Sequence, residues 1–214
     1  MSRQMIYIVA WLGILGFGTA AWVTTSRAGY ESAEYRVIEK DGKIEIREYP
    51  DLMLASTQSK LDSQGRDGSF MRLFRYISGD NQEKQKIAMT TPVFMEGKTG
   101  GANVSMGFVM PKEIAVEGVP EPKSDGVQIR KRDGGRFAVI RFSGRLNSTT
   151  TQKQEAKLRE WMKAKGLEGV SVAESAGYDP PFTPGPFRRN EVLIRIQDEA
   201  DGGQTPNEED SRSP

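Results

Sequence analysis

The chemistry open to this chain is narrowed by two side chains it lacks, since none of its 214 residues is a histidine or a cysteine. Disulfides, iron-sulfur clusters and Cys/His zinc sites all need ligands that are absent. A Ser-His-Asp triad or a Cys-His pair needs an imidazole base, and histidine is the side chain that titrates near neutral pH without tuning. Acid-base work therefore falls to carboxylates, lysine or tyrosine, and the carboxylates are scattered rather than paired. The glycine-rich stretch Gly97 to Gly101 (GKTGG) lacks the spacing of a Walker phosphate loop and lies between strands rather than before a helix. No combination of residues names a reaction, and the expectation is a protein with no enzyme activity of its own.

Composition describes an ordinary folded domain: 36% hydrophobic residues, 28% charged residues and a net charge of +1. That balance gives no electrostatic reason to expect a nucleic-acid partner. Residues 29–197 are mildly basic, with 27 bases against 23 acids, whereas 198–214 hold six acids and no apolar residue larger than alanine. Such a tail cannot bury enough surface to offset its ordering entropy, and is expected to be disordered. At the other end, Gln4 to Ser26 carries no charge, and Met5 to Val23 gives 19 mostly apolar positions. As a helix rising about 1.5 Å per residue they would span roughly 28 Å, close to the thickness of a hydrocarbon core. The segment 1–28 is read as a transmembrane anchor, with a cleaved export signal as the alternative, since small residues at 19–21 or 26–28 could serve as a processing site. Either places the domain on a membrane or exports it, in the cell envelope or periplasm.

The elements between are set by periodicity. Tyr35 to Tyr49 reads as a hairpin around Asp41-Gly42, and Leu52 to Gln58 as the next strand. Phe70 to Ile77 places apolar residues at 70, 73, 74 and 77, the spacing of one helical face, and Gly79 closes the helix. Strands follow at about 87–95 and 104–110, then a connector at 111–126 rich in proline and glycine. The second half repeats this order: a hairpin from Val127 to Ser143, a helix from about Thr150 to Lys165 with Leu158, Trp161 and Met162 on one face, and strands at about 170–176 and 191–197. Leu61-Asp62-Ser63 recurs as Leu146-Asn147-Ser148, 85 positions later. The fold class is α+β: duplicated strand-strand-helix-strand-strand units forming a distorted antiparallel barrel or curved sheet with two helices, because each unit alone leaves a sheet face uncovered.

Three stretches are more distinctive than the periodicity around them: Tyr76 to Asn81 (YISGDN), Lys86 to Val93 (KIAMTTPV) and Ala176 to Val192 (AGYDPPFTPGPFRRNEV). In this order and spacing they resemble the SOUL family of haem-binding proteins over about residues 33–197. The resemblance implies a monomer that binds haem or another tetrapyrrole in a shallow apolar cleft beside the first helix. Some members are thought to use a histidine as axial ligand, so this chain resembles those that bind without one, through a weak protein ligand or none. On this footing Phe70, Met71 and Phe74 offer an apolar floor for a flat π system, as alternatives to plain core packing. Arg72 and Arg75 offer guanidinium partners for the propionates, the position of Arg75 being basic in close relatives. Tyr178 offers a phenol that could ligate ferric iron and Met89 a thioether, each with a structural alternative in its turn or strand. Phe182 completes the expected site, and Thr183 stands where some relatives carry a base. Arg188 and Arg189, beside Glu191, are expected to fix the proline-rich loop to the sheet. Other apolar or cationic small molecules remain the alternative ligands, and a tetrapyrrole- or ester-modifying enzyme the third class.

Overall fold

The computed structural model describes residues 29–59, 68–97, 104–180 and 182–197. The segment 1–28, residues 60–67, most of the GKTGG stretch and the acidic tail lie outside the described residues. Among the described residues no helix is long and apolar enough to cross a membrane. Among the described residues eleven strands and three α-helices run in the order β1 (Glu31–Ser32), β2 (Arg36–Asp41), β3 (Ile44–Tyr49), β4 (Leu52–Ser59), α1 (Ser69–Ile77), β5 (Thr90–Thr91), β6 (Val93–Glu96), β7 (Val104–Val109), α2 (Lys112–Glu117), β8 (Gln128–Arg132), β9 (Gly135–Phe142), α3 (Ser148–Ala164), β10 (Glu174–Gly177) and β11 (Asn190–Arg195).

Nine strands form one curled antiparallel sheet in the order β2-β3-β9-β11-β10-β6-β7-β4-β8. The duplicated units are β3-β4-α1-β6-β7 and β8-β9-α3-β10-β11, and they meet at the β6–β10 seam, where Val93 pairs with Gly177. The expected β2–β3 hairpin forms, but its turn lies one residue later than expected: Asp41 pairs with Ile44, and Gly42 and Lys43 make the loop. The hairpin expected from Val127 to Ser143 does not form, and β3 does not pair with β4. Each unit instead lends its first strand to the other: β3 pairs with β9, from Ile44 opposite Ile140 to Tyr49 opposite Gly135, and β8 pairs with β4. Alternating side chains fix which face of a strand is buried, not which strand lies beside it. The two crossing segments touch where Asp51 Oδ1 accepts the Gly134 N–H at 2.7 Å. A Cβ on Gly134 would stand 2.5 Å from the Tyr49 carbonyl oxygen, so only glycine fits the crossing.

Two further departures have local causes. Pro92 brings no N–H to the ladder and divides the single strand expected at 87–95 into β5 and β6. The expected connector holds a short helix, α2, entered from Pro111 and left at Gly118.

The core has three parts. Leu54, Val109, Phe137, Val139 and Leu193 fill the inside of the curl. On the outer face α1 lays Leu73, Tyr76 and Ile77 over Ala55, Met106 and Phe108, and α3 lays Leu158 and Met162 over Ala138, Ile140, Val192 and Ile194. Each helix thus roofs its own half, and the seam runs between them. Trp161, expected in the core, stands half-buried at its edge, where Nε1 donates to Asp41 Oδ2 at 2.8 Å and ties α3 to the β2–β3 turn.

Candidate functional site

Helix α1 buries one face and offers a flank to the seam. Its end is held by the YISGDN residues themselves. Fully buried Asn81 donates from Nδ2 to the carbonyls of Tyr76 (3.1 Å) and Gln85 (2.7 Å), and accepts the Gln85 N–H at 2.9 Å. The Tyr76 hydroxyl donates to the Pro120 carbonyl at 2.6 Å. In KIAMTTPV the hydroxyl of Thr90 donates to the Val109 carbonyl at 2.5 Å and fixes β5 against β7. These motif residues are scaffold: they satisfy buried backbone groups that would otherwise cost stability.

What they position is a cleft of about 290 Å³ over the seam. One wall is α1, with Phe70 and Phe74 one turn apart and their rings nearly parallel, 12° between planes and 6.1 Å between centroids. Phe70 rests edge-on against Phe108 beneath, at 5.3 Å. Met89, Thr90, Thr91, Val93 and Gly177 make the floor, and Tyr178, Asp179, Pro180 and Phe182 the far wall. Tyr30 closes one end, carried there by the β1–β5 pairing and by the Ala33 N–H, which donates to the Thr91 carbonyl at 2.7 Å. The lining is largely apolar, with the two threonines and Asp179 as exceptions, and Phe182 and Phe74 are 69% and 43% exposed.

The far wall is braced. Asp179 Oδ2 accepts the Arg189 N–H at 2.5 Å, the Thr183 N–H donates to the Pro180 carbonyl at 3.0 Å, and Arg188 Nε donates to the Thr183 carbonyl at 2.7 Å. Both arginines fix the loop as expected, and Thr183 is buried beneath it rather than facing a ligand.

The residues singled out in the sequence divide. Phe70, Phe74, Tyr178 and Phe182 line the cleft, as does Met89. Met71 lies just outside the lining and is 54% exposed. Arg72 and Arg75 stand on another flank of α1, in a separate groove with Asp80, Lys123 and Ser124. Arg72 is held there, donating from Nη1 to Thr57 Oγ1 at 2.6 Å. The cause is the 100° advance per residue: with Leu73, Tyr76 and Ile77 facing the sheet, positions 70 and 74 fall on one side of the helix and position 72 on the other. Tyr178 contributes its ring, while its hydroxyl turns inward and donates to Glu191 Oε2 at 2.8 Å.

That hydrogen bond leads into a buried cluster that sequence reasoning missed. Fully buried Glu191 accepts from Arg47 Nη1 and Nη2 at 2.8 and 3.0 Å, and from Arg189 Nε and Nη2 at 3.0 and 2.7 Å. Arg47 also donates to Tyr49 and Glu45, and its guanidinium lies 4.1 Å from the centre of the Tyr35 ring. Burial pushes the Glu191 carboxyl up, but hydrogen bonds and charge from Arg47 and Arg189 outweigh it and hold the group below its ordinary value. Burial and the Glu191 charge raise Tyr178 well above the usual phenol range, so it is a poor source of phenolate. A trace was readable, because the alternation of Glu191, Leu193 and Arg195 against Val192 and Ile194 places Glu191 on a buried face, with Arg188 and Arg189 beside it in sequence. Nothing local pointed to Arg47, 144 positions away.

The chain matches the family described as SOUL heme-binding protein over residues 30–195. It belongs to the SOUL family. Among its relatives, Heme-binding protein 1 of Xenopus tropicalis is 30% identical over 175 residues, covering 77% of this chain and 91% of that protein. Heme-binding protein 2 of Homo sapiens is 27% identical over 188 residues, covering 84% and 85%. The SOUL fold is also similar to a solved hydrolase from Listeria innocua (TM-score 0.55, 12% identity, 75% of this chain and 94% of that one) and to the C-terminal domain of EcmrR (TM-score 0.55, 11% identity, 76% and 98%). At these identities the likeness is one of fold alone.

Proposed function

We propose that this SOUL domain binds haem or a related tetrapyrrole in the seam cleft, as a monomer that carries or buffers the ligand without transforming it, attached to the cell envelope through its N-terminal segment. The observation that carries this is the parallel Phe70/Phe74 pair walling an apolar cleft in a chain whose relatives are named for haem binding. The residues fit the group on these terms. Aromatic faces and the Met89 thioether suit a flat π surface. At about 290 Å³ the cleft is at the small end of ligand sites, so it would grip one face or edge of a tetrapyrrole and leave the rest outside. Among the described residues no basic side chain lines it, so propionates would point outward past the rim. With no imidazole or thiolate in the chain, and the Tyr178 hydroxyl held by Glu191, axial ligation falls to Met89, to the Tyr30 phenol or to water.

Lipophilic cations find less support. Glu191, Glu174 and Glu96 inside the sheet are each held by an arginine. Titration of the purified chain with haemin, followed by Soret absorbance, tests the proposal. The expected outcome is saturable binding of micromolar affinity with a broad, high-spin-like band. The absence of a saturable change overturns it, and a sharp low-spin bis-nitrogen spectrum overturns the ligation argument.

A further inference from the structure

The rim of the cleft carries apolar surface that a ligand inside would leave uncovered. Met71 lies outside the lining and is more exposed than Phe74, one turn along the same helix, while Phe182 stands across the mouth. Tyr30 is at the same mouth, pinned there through β1 and Ala33. The chain reaches Tyr30 from the uncharged run that ends at Ser26, four residues earlier, and four residues span at most about 14 Å even when extended. The end of the only stretch in the sequence long and apolar enough to enter a bilayer is therefore tethered beside the mouth.

We propose that this rim, formed by Tyr30, Met71, Phe74 and Phe182, rests on the lipid bilayer, so that the cleft opens at the acyl-chain boundary and takes its apolar ligand sideways from the membrane rather than from water. The docking rests on the reading of residues 5–23 as a membrane anchor, and the ligand on the tetrapyrrole reading. The tether makes even a weak patch effective, because docking becomes intramolecular at high effective concentration. Aromatic side chains favour the interface, and the exposed part of a ligand too large for the cleft would then face lipid.

The chain has no native cysteine, so single thiols report cleanly. The full chain would be reconstituted in vesicles of phosphatidylcholine with a minority of phosphatidylglycerol, carrying a nitrobenzoxadiazole label at Met71→Cys, Phe182→Cys or Val170→Cys. Val170 is as exposed as Met71, at 53%, but lies at the far end of the sheet, its N–H bonded to the Arg195 carbonyl. The first two labels should shift to the blue and be quenched by brominated acyl chains several-fold more than the third. Met71→Asp should slow haemin uptake from vesicles several-fold while binding haemin in detergent as the parent does. Labels at 71 and 182 as water-exposed as the one at 170 overturn the inference. So do labels that are shielded but not quenched by brominated lipid, which would mean that protein covers the rim. If haemin does not bind in detergent, the tetrapyrrole reading falls, and the labels still decide the docking.

Discussion

On the outer face of the β6–β10 seam, Phe70, Phe74 and Phe182 stand around a cleft with no cation among the described residues of its lining. On the inner face, Arg47, Arg189 and Glu191 make a closed set of hydrogen bonds with Tyr35, Tyr49 and Tyr178. Tyr178 belongs to both, with its ring in the cleft wall and its hydroxyl in the cluster. The residue types that usually signal a reactive site are here committed to architecture, and the surface that could receive a ligand is left to shape and apolar area. Stability and binding should therefore respond to different substitutions.

The largest effect is expected inside. Arg47→Ala leaves Glu191 with half its compensation, and breaking a buried pair from one side costs about 3–5 kcal/mol. Urea unfolding would show it, and a loss below about 1 kcal/mol would mean that water reaches the cluster. The same cluster gives a pH signature. Because the Glu191 carboxyl is held below its ordinary value of 4.5, its contribution is complete above that pH and is lost as pH falls through the lowered value. The melting-temperature gap between the parent and Glu191→Gln should thus be constant near neutrality and shrink below about pH 4.5. The difference isolates Glu191 from Glu174, which burial raises and which shifts stability the other way. A gap that does not change with pH would remove Glu191 from the account.

Outside, Phe74→Ala removes a half-exposed ring that a bound ligand would cover. That is about 1 kcal/mol, or roughly fivefold in haemin affinity, with a small change in unfolding. If stability falls far more than affinity, the ring belongs to the core. The smallest effect is expected for Arg75→Glu, on the far flank: haemin affinity in detergent at low salt should move by less than about twofold, as for an exposed charge without contact. A several-fold loss would return the propionates to that flank and redraw the cleft.

Much of this was legible in one dimension because periodicity reports which face of an element is buried. The α1 stripe, the α3 stripe with Leu158 and Met162, the β2–β3 turn and the repeat itself are all local signals. Strand partnership is not local: the pairings of β3 with β9 and β4 with β8 join segments from opposite halves, and so does the Arg47–Glu191 pair. The cleft was half legible. Phe70, Phe74, Tyr178 and Phe182 announced themselves by type and motif. Tyr30 did not, because it lies just past the apolar run and reaches the site only through the two-residue pairing of β1 with β5. The two arginines of α1 sat within a turn of the right place, but a helix turns through 100° per residue and proximity in sequence is not proximity to the cleft.

The exchange of first strands also sets the order in which this protein can come into being. Neither half can complete its sheet alone, since β4 waits for β8 and β3 for β9, whose last residue is Phe142. On a ribosome adding about 5 to 20 residues per second, Leu52 would emerge several seconds before Phe142. Pairings so distant in sequence carry a large loop-closure cost and fold slowly. The first half can pair β2 with β3, β4 with β7 and β7 with β6, but its sheet cannot close until the second half arrives.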